Sequence, residues 1–86
     1  MPVLIHEEKA EFSEQARKAK FIGIVVVSLW IDEHGNPLHV QLLHGVGMGL
    51  DENAIAAVKE YRFKPAMEGG RPVMVALNVA VDFQIE

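Results

Sequence analysis

Leu50-Asp51-Glu52-Asn53-Ala54-Ile55-Ala56-Ala57-Val58-Lys59-Glu60-Tyr61-Arg62-Phe63-Lys64-Pro65, then Gly70-Arg71-Pro72-Val73 and an alternation running on to Phe83, is the stretch on which the fold turns. Leu50, Ala54, Val58 and Tyr61 recur at helical steps and mark a buried face, while Asp51 and Glu52 suit the positive end of a helix dipole. The spacing predicts a helix from Leu50 to Tyr61 that is finished by Pro65, because a proline pushes the residue before it, Lys64, out of helical geometry. Glu68-Gly69-Gly70-Arg71 reads as a turn. Beyond it the period becomes that of a strand, expected from Val73 to Ile85, with Val73, Val75, Leu77, Val79, Val81, Phe83 and Ile85 on one face.

Upstream, Gly23 to Asp32 is a second strand pattern, with Val25, Val27, Leu29 and Ile31 alternating with Ile24, Val26, Ser28 and Trp30. Asp32-Glu33-His34-Gly35-Asn36 is a hairpin loop in which Gly35 or Asn36 takes positive φ, and Pro37 limits ladder bonding where the next strand begins. In that strand Leu38, Val40 and Leu42 are expected on the core face and His39, Gln41 and Leu43 on the wetter one. A short helix precedes the hairpin: Ser13 caps it, Glu14 sits in its first turn, Arg17, Lys18 and Lys20 lie toward its end, Phe12, Ala16 and Ala19 form its apolar stripe, and Gly23 stops it.

The order is helix, strand, strand, helix, strand. A tight hairpin makes the first two strands antiparallel, and the connection through the second helix returns the last strand beside the first. The expected fold is therefore α+β, a two-layer sandwich with a three-stranded antiparallel sheet of order 2-1-3 and two helices on one face. Val25, Val27, Leu29, Val40, Leu42, Val75, Leu77 and Val79 should face those helices.

The Leu50-Asp51 start, the small or apolar Ala54 and Val58, the Tyr61-Arg62-Phe63-Lys64-Pro65 turn and the Gly70-Arg71-Pro72-Val73 entry to the last strand together resemble the C-terminal domain of TonB-family energy transducers. Gly23-Ile24-Val25-Val26-Val27 fits the family's Gly-x-Val strand, and Ile31-Asp32-Glu33-His34-Gly35-Asn36-Pro37-Leu38 fits its Asp-x-x-Gly hairpin. Phe12-Ser13-Glu14-Gln15-Ala16 stands where the family usually has Tyr-Pro-x-x-Ala, with Ser13 in place of proline. The resemblance spans about Glu11 to Ile85, and it implies the same fold.

The chain has 86 residues, enough for one domain with an extended segment over 1–10, and such a chain buries only about 60–65% of its unfolded surface, so the core must be compact. With no cysteine there is no disulfide or thiolate chemistry, and the compartment is not legible from that count. A formal net charge of -4, with Arg17-Lys18-Lys20 as the one basic cluster, argues against nucleic acid as a partner. No apolar stretch approaches the roughly 20 residues of a membrane helix, and Met1-Pro2-Val3-Leu4-Ile5 is too short, and lacks the basic start, for a signal peptide. A TonB-like transducer carries a membrane helix and a Pro-rich spacer; their absence from this sequence leads us to expect an excised domain or a small stand-alone relative.

Catalytic groups are scarce. Ser13, Ser28 and Tyr61 carry the hydroxyls, with Ser13 read as a cap and Ser28 as a sheet residue, and the acidic pairs Glu7-Glu8, Asp32-Glu33 and Asp51-Glu52 fall in ordinary solvated positions. His6, His34, His39 and His44 lack metal-ligand spacing. Gly45-Val46-Gly47-Met48-Gly49 imitates a dinucleotide loop, but its third glycine comes one residue early and the preceding strand belongs to a hairpin, so it reads as a joint between sheet and helix. No enzyme, cofactor or metal site is expected.

An exposed strand remains. In the 2-1-3 order the last strand is an edge, with no proline after Pro72 and no charge until Asp82, whereas edges are ordinarily blunted by such residues. Met74, Val75, Ala76, Leu77, Asn78, Val79 and Ala80 would frame an added strand. By resemblance, that strand is the short box peptide of a TonB-dependent outer-membrane transporter, with Phe12-Ser13 as a second contact. The resemblance further implies a periplasmic module, anchored to the inner membrane and coupled to motor proteins only through an N-terminal region that this sequence lacks. The competing expectation is a self-associating structural or sensor-appended domain. Its interface would be the same edges or an outer sheet face where Ile24, Val26, Trp30, Leu43, Met74, Ala76 and Ala80 lie together, covered by a second copy. The N-terminal Pro2-Val3-Leu4-Ile5 segment is the other candidate cover, for the last strand's edge or, through Val3-Leu4-Ile5 folding back, for that face.

Overall fold

The structure, a computed structural model, describes residues 2–84. Its elements are β1 (Val3–His6), α1 (Glu14–Lys18), β2 (Gly23–Ile31), β3 (Pro37–His44), α2 (Leu50–Lys59), β4 (Arg62–Lys64), β5 (Ala66–Glu68), β6 (Arg71–Val73) and β7 (Val75–Phe83). The central sheet is antiparallel throughout, in the order β3-β2-β7. This is the expected 2-1-3 arrangement. Ala16 of α1 and Leu50, Ala54 and Val58 of α2 join Val25, Val27, Leu29, Ile31, Val81 and Phe83 in one buried cluster, so both helices supply core to the same side of the sheet.

Ser13 caps α1 as expected, its Oγ accepting from the Ala16 N–H at 3.0 Å. Gly23, however, does not stop the helix. Lys20 enters the left-handed region at φ 53, its N–H bonds the Arg17 carbonyl at 3.2 Å, and the Phe21 N–H bonds the Ala16 carbonyl at 3.0 Å. Those two bonds make a Schellman closure with lysine where glycine is usual. Gly23 instead begins β2 beneath the Phe21 ring, which fills the space a Cβ would need. Ala19, placed in the apolar stripe, is exposed.

The face expected for β3 also needs correction. Between Val26↔His44 and Val27↔Leu42, and again between Ser28↔Gln41 and Trp30↔Leu38, the register shifts by one residue. At the second shift His39 has φ 52, and the extra residue reverses the alternation. Leu38 therefore stands opposite Trp30, away from the helices, while Val40 packs against the core and Leu42 remains 43% exposed.

The last strand is shorter than expected. Gly69 and Gly70, at φ 58 and 78, make a two-residue hairpin in which Glu68 faces Arg71. The turn draws Arg71–Val73 back onto Ala66–Glu68, and the ladder with β2 starts only at Val75, opposite Ile31. Met74 lies at the break between the two pairings, and Ile85 falls outside the described residues.

The N-terminal strand goes to neither place considered for it. β1 pairs with β4, with Val3 opposite Lys64, Leu4 opposite Phe63 and His6 opposite Arg62. It covers neither the β7 edge nor the outer face of the central sheet. The chain from Tyr61 to Lys64 is an anchor for three elements. Tyr61 and Phe63 are 3% and 6% exposed, so both rings are core, and Arg62 turns outward to donate to the carbonyl of Lys59, the last residue of α2, and to that of Tyr61.

Candidate functional site

β7 runs for nine residues with β2 on one side, and among the described residues no strand pairs with its other side. Its ladder to β2 is regular from Ile31↔Val75 to Gly23↔Phe83. A regular ladder without bulges leaves the free edge straight, which is the geometry an added strand requires. Val75, Leu77 and Val79 point to the helix side yet are only half-buried, because α2 packs over β2 and β3. Ala76, Asn78 and Ala80 point to the outer side and are exposed. The edge thus has an apolar flank on the helix side and, on the outer side, two alanines with Asn78 between them.

The predicted site residues do not form one constellation. Val75 to Ala80 are consecutive on the β7 edge, and Met74 sits just before it, 46% exposed. Phe12 lies at the opposite end, its ring edge-on to Phe83 with centroids 5.5 Å apart and planes at 77°. A cleft of about 310 Å³ joins Phe12 to Ala80, and its walls include Glu7 to Ala10, Tyr61 and Asp82. Ser13 is spent on capping α1, and its Cβ lies next to Gly49 at the start of α2.

The N-terminal side of that cleft was not legible as part of the site. Glu7 accepts a hydrogen bond from the Tyr61 hydroxyl at 3.4 Å, and the Asn53 amide donates to the Glu11 carbonyl at 2.7 Å. The signal, in retrospect, is Tyr61 itself, since a buried phenol ordinarily finds a polar partner. Burial of the ring, with the Glu7 carboxylate beside it, pushes the Tyr61 hydroxyl up to about 12.

On the outer face, Trp30 is 42% exposed and stands between Leu38 and Ala76; Val26 stands between His44 and Ala80; Ile24 is opposite Asp82. Ser28 lies between Gln41 and Asn78, a polar row crossing the middle of the face. Leu43 is the extra residue at a register shift and is 60% exposed. The outer apolar residues accordingly fall into two groups with polar side chains between them.

The glycine joint has its own internal account. Asp51 accepts from the Val46 N–H at 2.8 Å and from the Gly47 N–H at 3.2 Å, so its carboxylate clamps the loop. Gly47, Met48 and Gly49 all have positive φ, and Val46 and Met48 pack against the core. Among the described residues, no three His, Asp or Glu side chains converge as a metal site would need, and no helix is long and apolar enough to cross a membrane.

Comparison with known proteins matches residues 8–85 to the family described as Gram-negative bacterial TonB protein C-terminal. The chain is 31% identical over 87 residues to the Protein TonB of Vibrio cholerae, a match covering 99% of this chain and 36% of that protein. It is 27% identical over 82 residues to Protein tonB2 of Pseudomonas aeruginosa, covering 94% and 30% respectively. It thus spans about a third of the length of these relatives. A solution NMR structure of the Pseudomonas aeruginosa TonB C-terminal domain superposes with a TM-score of 0.78 at 23% identity, covering 99% of this chain and 87% of that one.

Proposed function

The chain belongs to the family of Gram-negative bacterial TonB C-terminal domains, and from that premise we propose that it is a periplasmic binding module whose β7 edge takes up an extended peptide of a TonB-dependent outer-membrane transporter. The peptide adds as a fourth strand beside β7, so the module grips the transporter and passes on force generated at the inner membrane. Motor proteins there are reached through a region N-terminal to this domain. The role is mechanical and needs no cofactor or catalytic group.

The observation that carries this reading is the free edge of β7: nine residues, a regular ladder to β2, no proline, and no charge before Asp82. Backbone bonds along such an edge supply affinity, and the side chains flanking it supply selectivity. Phe12, at the Phe83 end, is positioned to meet the part of the peptide that leaves the strand.

Amide shifts on titration with a transporter-box peptide test this reading. The residues from Val75 to Ala80 should move most, and the Gly45 to Gly49 joint should stay still. Shifts confined to the joint would place the peptide elsewhere.

A second reading, self-association, has its own support in the exposed Trp30, Leu38 and Met74, which are 42%, 37% and 46% exposed at one end of the sheet. In it the domain is a structural or sensor-appended unit, and a symmetric homodimer covers that end.

A further inference from the structure

Three rows of side chains cross the outer face of the sheet, each running from β3 through β2 to β7: Leu38, Trp30, Ala76; Gln41, Ser28, Asn78; and His44, Val26, Ala80. Cross-strand neighbours in such rows stand about 5 Å apart, so a strand laid against β7 extends every row by one residue. The rows differ in chemistry. At the first and third, β7 contributes only a methyl group, over which an incoming side chain reaches Trp30 or Val26. At the middle row β7 contributes the Asn78 amide, and neither Asn78 nor Gln41 has a side-chain hydrogen-bond partner among the described residues. A cavity of about 170 Å³ opens over the first two rows, between Trp30, His39, Gln41, Ala76 and Asn78.

On the helix side the flanking residues of β7 are Val75, Leu77 and Val79, half-buried and packed against the core. An added strand brings its alternate residues down beside them, where a polar side chain would lose water without gaining a partner.

The geometry points to a selectivity rule for the partner peptide: one hydrogen-bonding side chain, a hydroxyl or an amide, at the Asn78 row, with apolar residues at the positions immediately and two removed on either side. This rests on strand addition at β7, the reading proposed above. Asn78 is then a specificity-determining residue, since its amide both donates and accepts and so suits either a hydroxyl or an amide. Trp30 and Val26 supply the apolar ground on each side of it.

Thr and Val have nearly the same shape, so exchanging them isolates the hydrogen bond. Two peptides with identical soluble flanks, one centred on Val-Val-Thr-Val-Val and the other on Val-Val-Val-Val-Val, are titrated into labelled wild-type domain and into Asn78→Val and Asn78→Thr. Wild type should bind the threonine peptide about fivefold more tightly, the ratio expected from one net hydrogen bond. Asn78→Val should abolish or invert that preference, and Asn78→Thr should restore it. Equal preference in all three proteins, with β7 amides shifting in each, overturns the selectivity rule and leaves strand addition standing. If neither peptide shifts the β7 amides of wild type, strand addition fails and the rule fails with it.

Discussion

Gly35 and Phe63, far apart in sequence, are joined backbone to backbone: the Phe63 N–H donates to the Gly35 carbonyl at 2.9 Å. The approach is so close that a Cβ on Gly35 would overlap the Phe63 carbonyl, and Gly35 is held at φ 85. The hairpin between β2 and β3 is thereby fastened to the strand that follows α2. Gly35→Ala should cost about 2 kcal/mol or more, combining left-handed strain with displacement of backbone that cannot yield. Gly69→Ala, at φ 58 with nothing within 4 Å of its Cβ, should cost only the conformational part, about 1 kcal/mol. Urea unfolding of both variants measures the gap, and equal losses would mean that the Gly35 contact is not tight.

Phe63 is core and not partner surface. At 6% exposure, beside Tyr61 with centroids 6.3 Å apart, its truncation to alanine should remove about 3–5 kcal/mol, a large part of the roughly 5–15 kcal/mol available to a small domain. A loss below about 1 kcal/mol in the same unfolding assay would assign the ring to a peripheral place.

The single tyrosine makes the Glu7 contact directly observable. Absorbance titration should place the Tyr61 midpoint near 12, and Glu7→Gln should lower it without restoring the ordinary value, because burial is the larger cause. Since the folded value lies above the unfolded one, the unfolded state releases its proton first. Stability from this group is whole below about pH 10 and declines as pH rises toward about 12. A midpoint at 10.0 in the folded domain would show Tyr61 to be solvated.

At the acid end the sign is reversed. Asp32 accepts from the Asn36 N–H at 2.8 Å and the His34 N–H at 2.9 Å, and these bonds, that from Asn36 first, hold its carboxyl below the ordinary 3.8. Its contribution is complete above that ordinary value and disappears as pH falls through the lower folded one. In Asp32→Asn, stability measured from neutral pH downward should fall less steeply over that acid range than in wild type; an unchanged slope would mean that the hairpin does not depend on the charge.

Self-association through the outer face would centre on Trp30, as aromatic anchors commonly do at interfaces. Sedimentation should then show wild-type mass rising with concentration toward a dimer and Trp30→Ser remaining monomeric. A monomer for both at high concentration removes the dimer reading.

The order and type of the main elements can be read from the string of residues, because they depend on short-range periodicity. Val25, Val27, Leu29 and Ile31 can be buried together only in a strand, Leu50, Ala54 and Val58 only on a helix, and one hairpin and one crossover leave few ways to assemble them. The β7 edge was legible for the same reason: strand order follows from connectivity, and the lack of proline or charge along it is a property of the string. Where the N-terminal segment docks, which face Leu38 takes, and the break that Gly69-Gly70 makes in the last strand at Met74 are visible only in the folded chain. Each of these depends on pairing between distant backbones or on one residue entering positive φ, as His39 and the two glycines do. A one-residue shift reverses every later side chain while leaving the composition and pattern of the sequence untouched, so only the folded ladder reveals it.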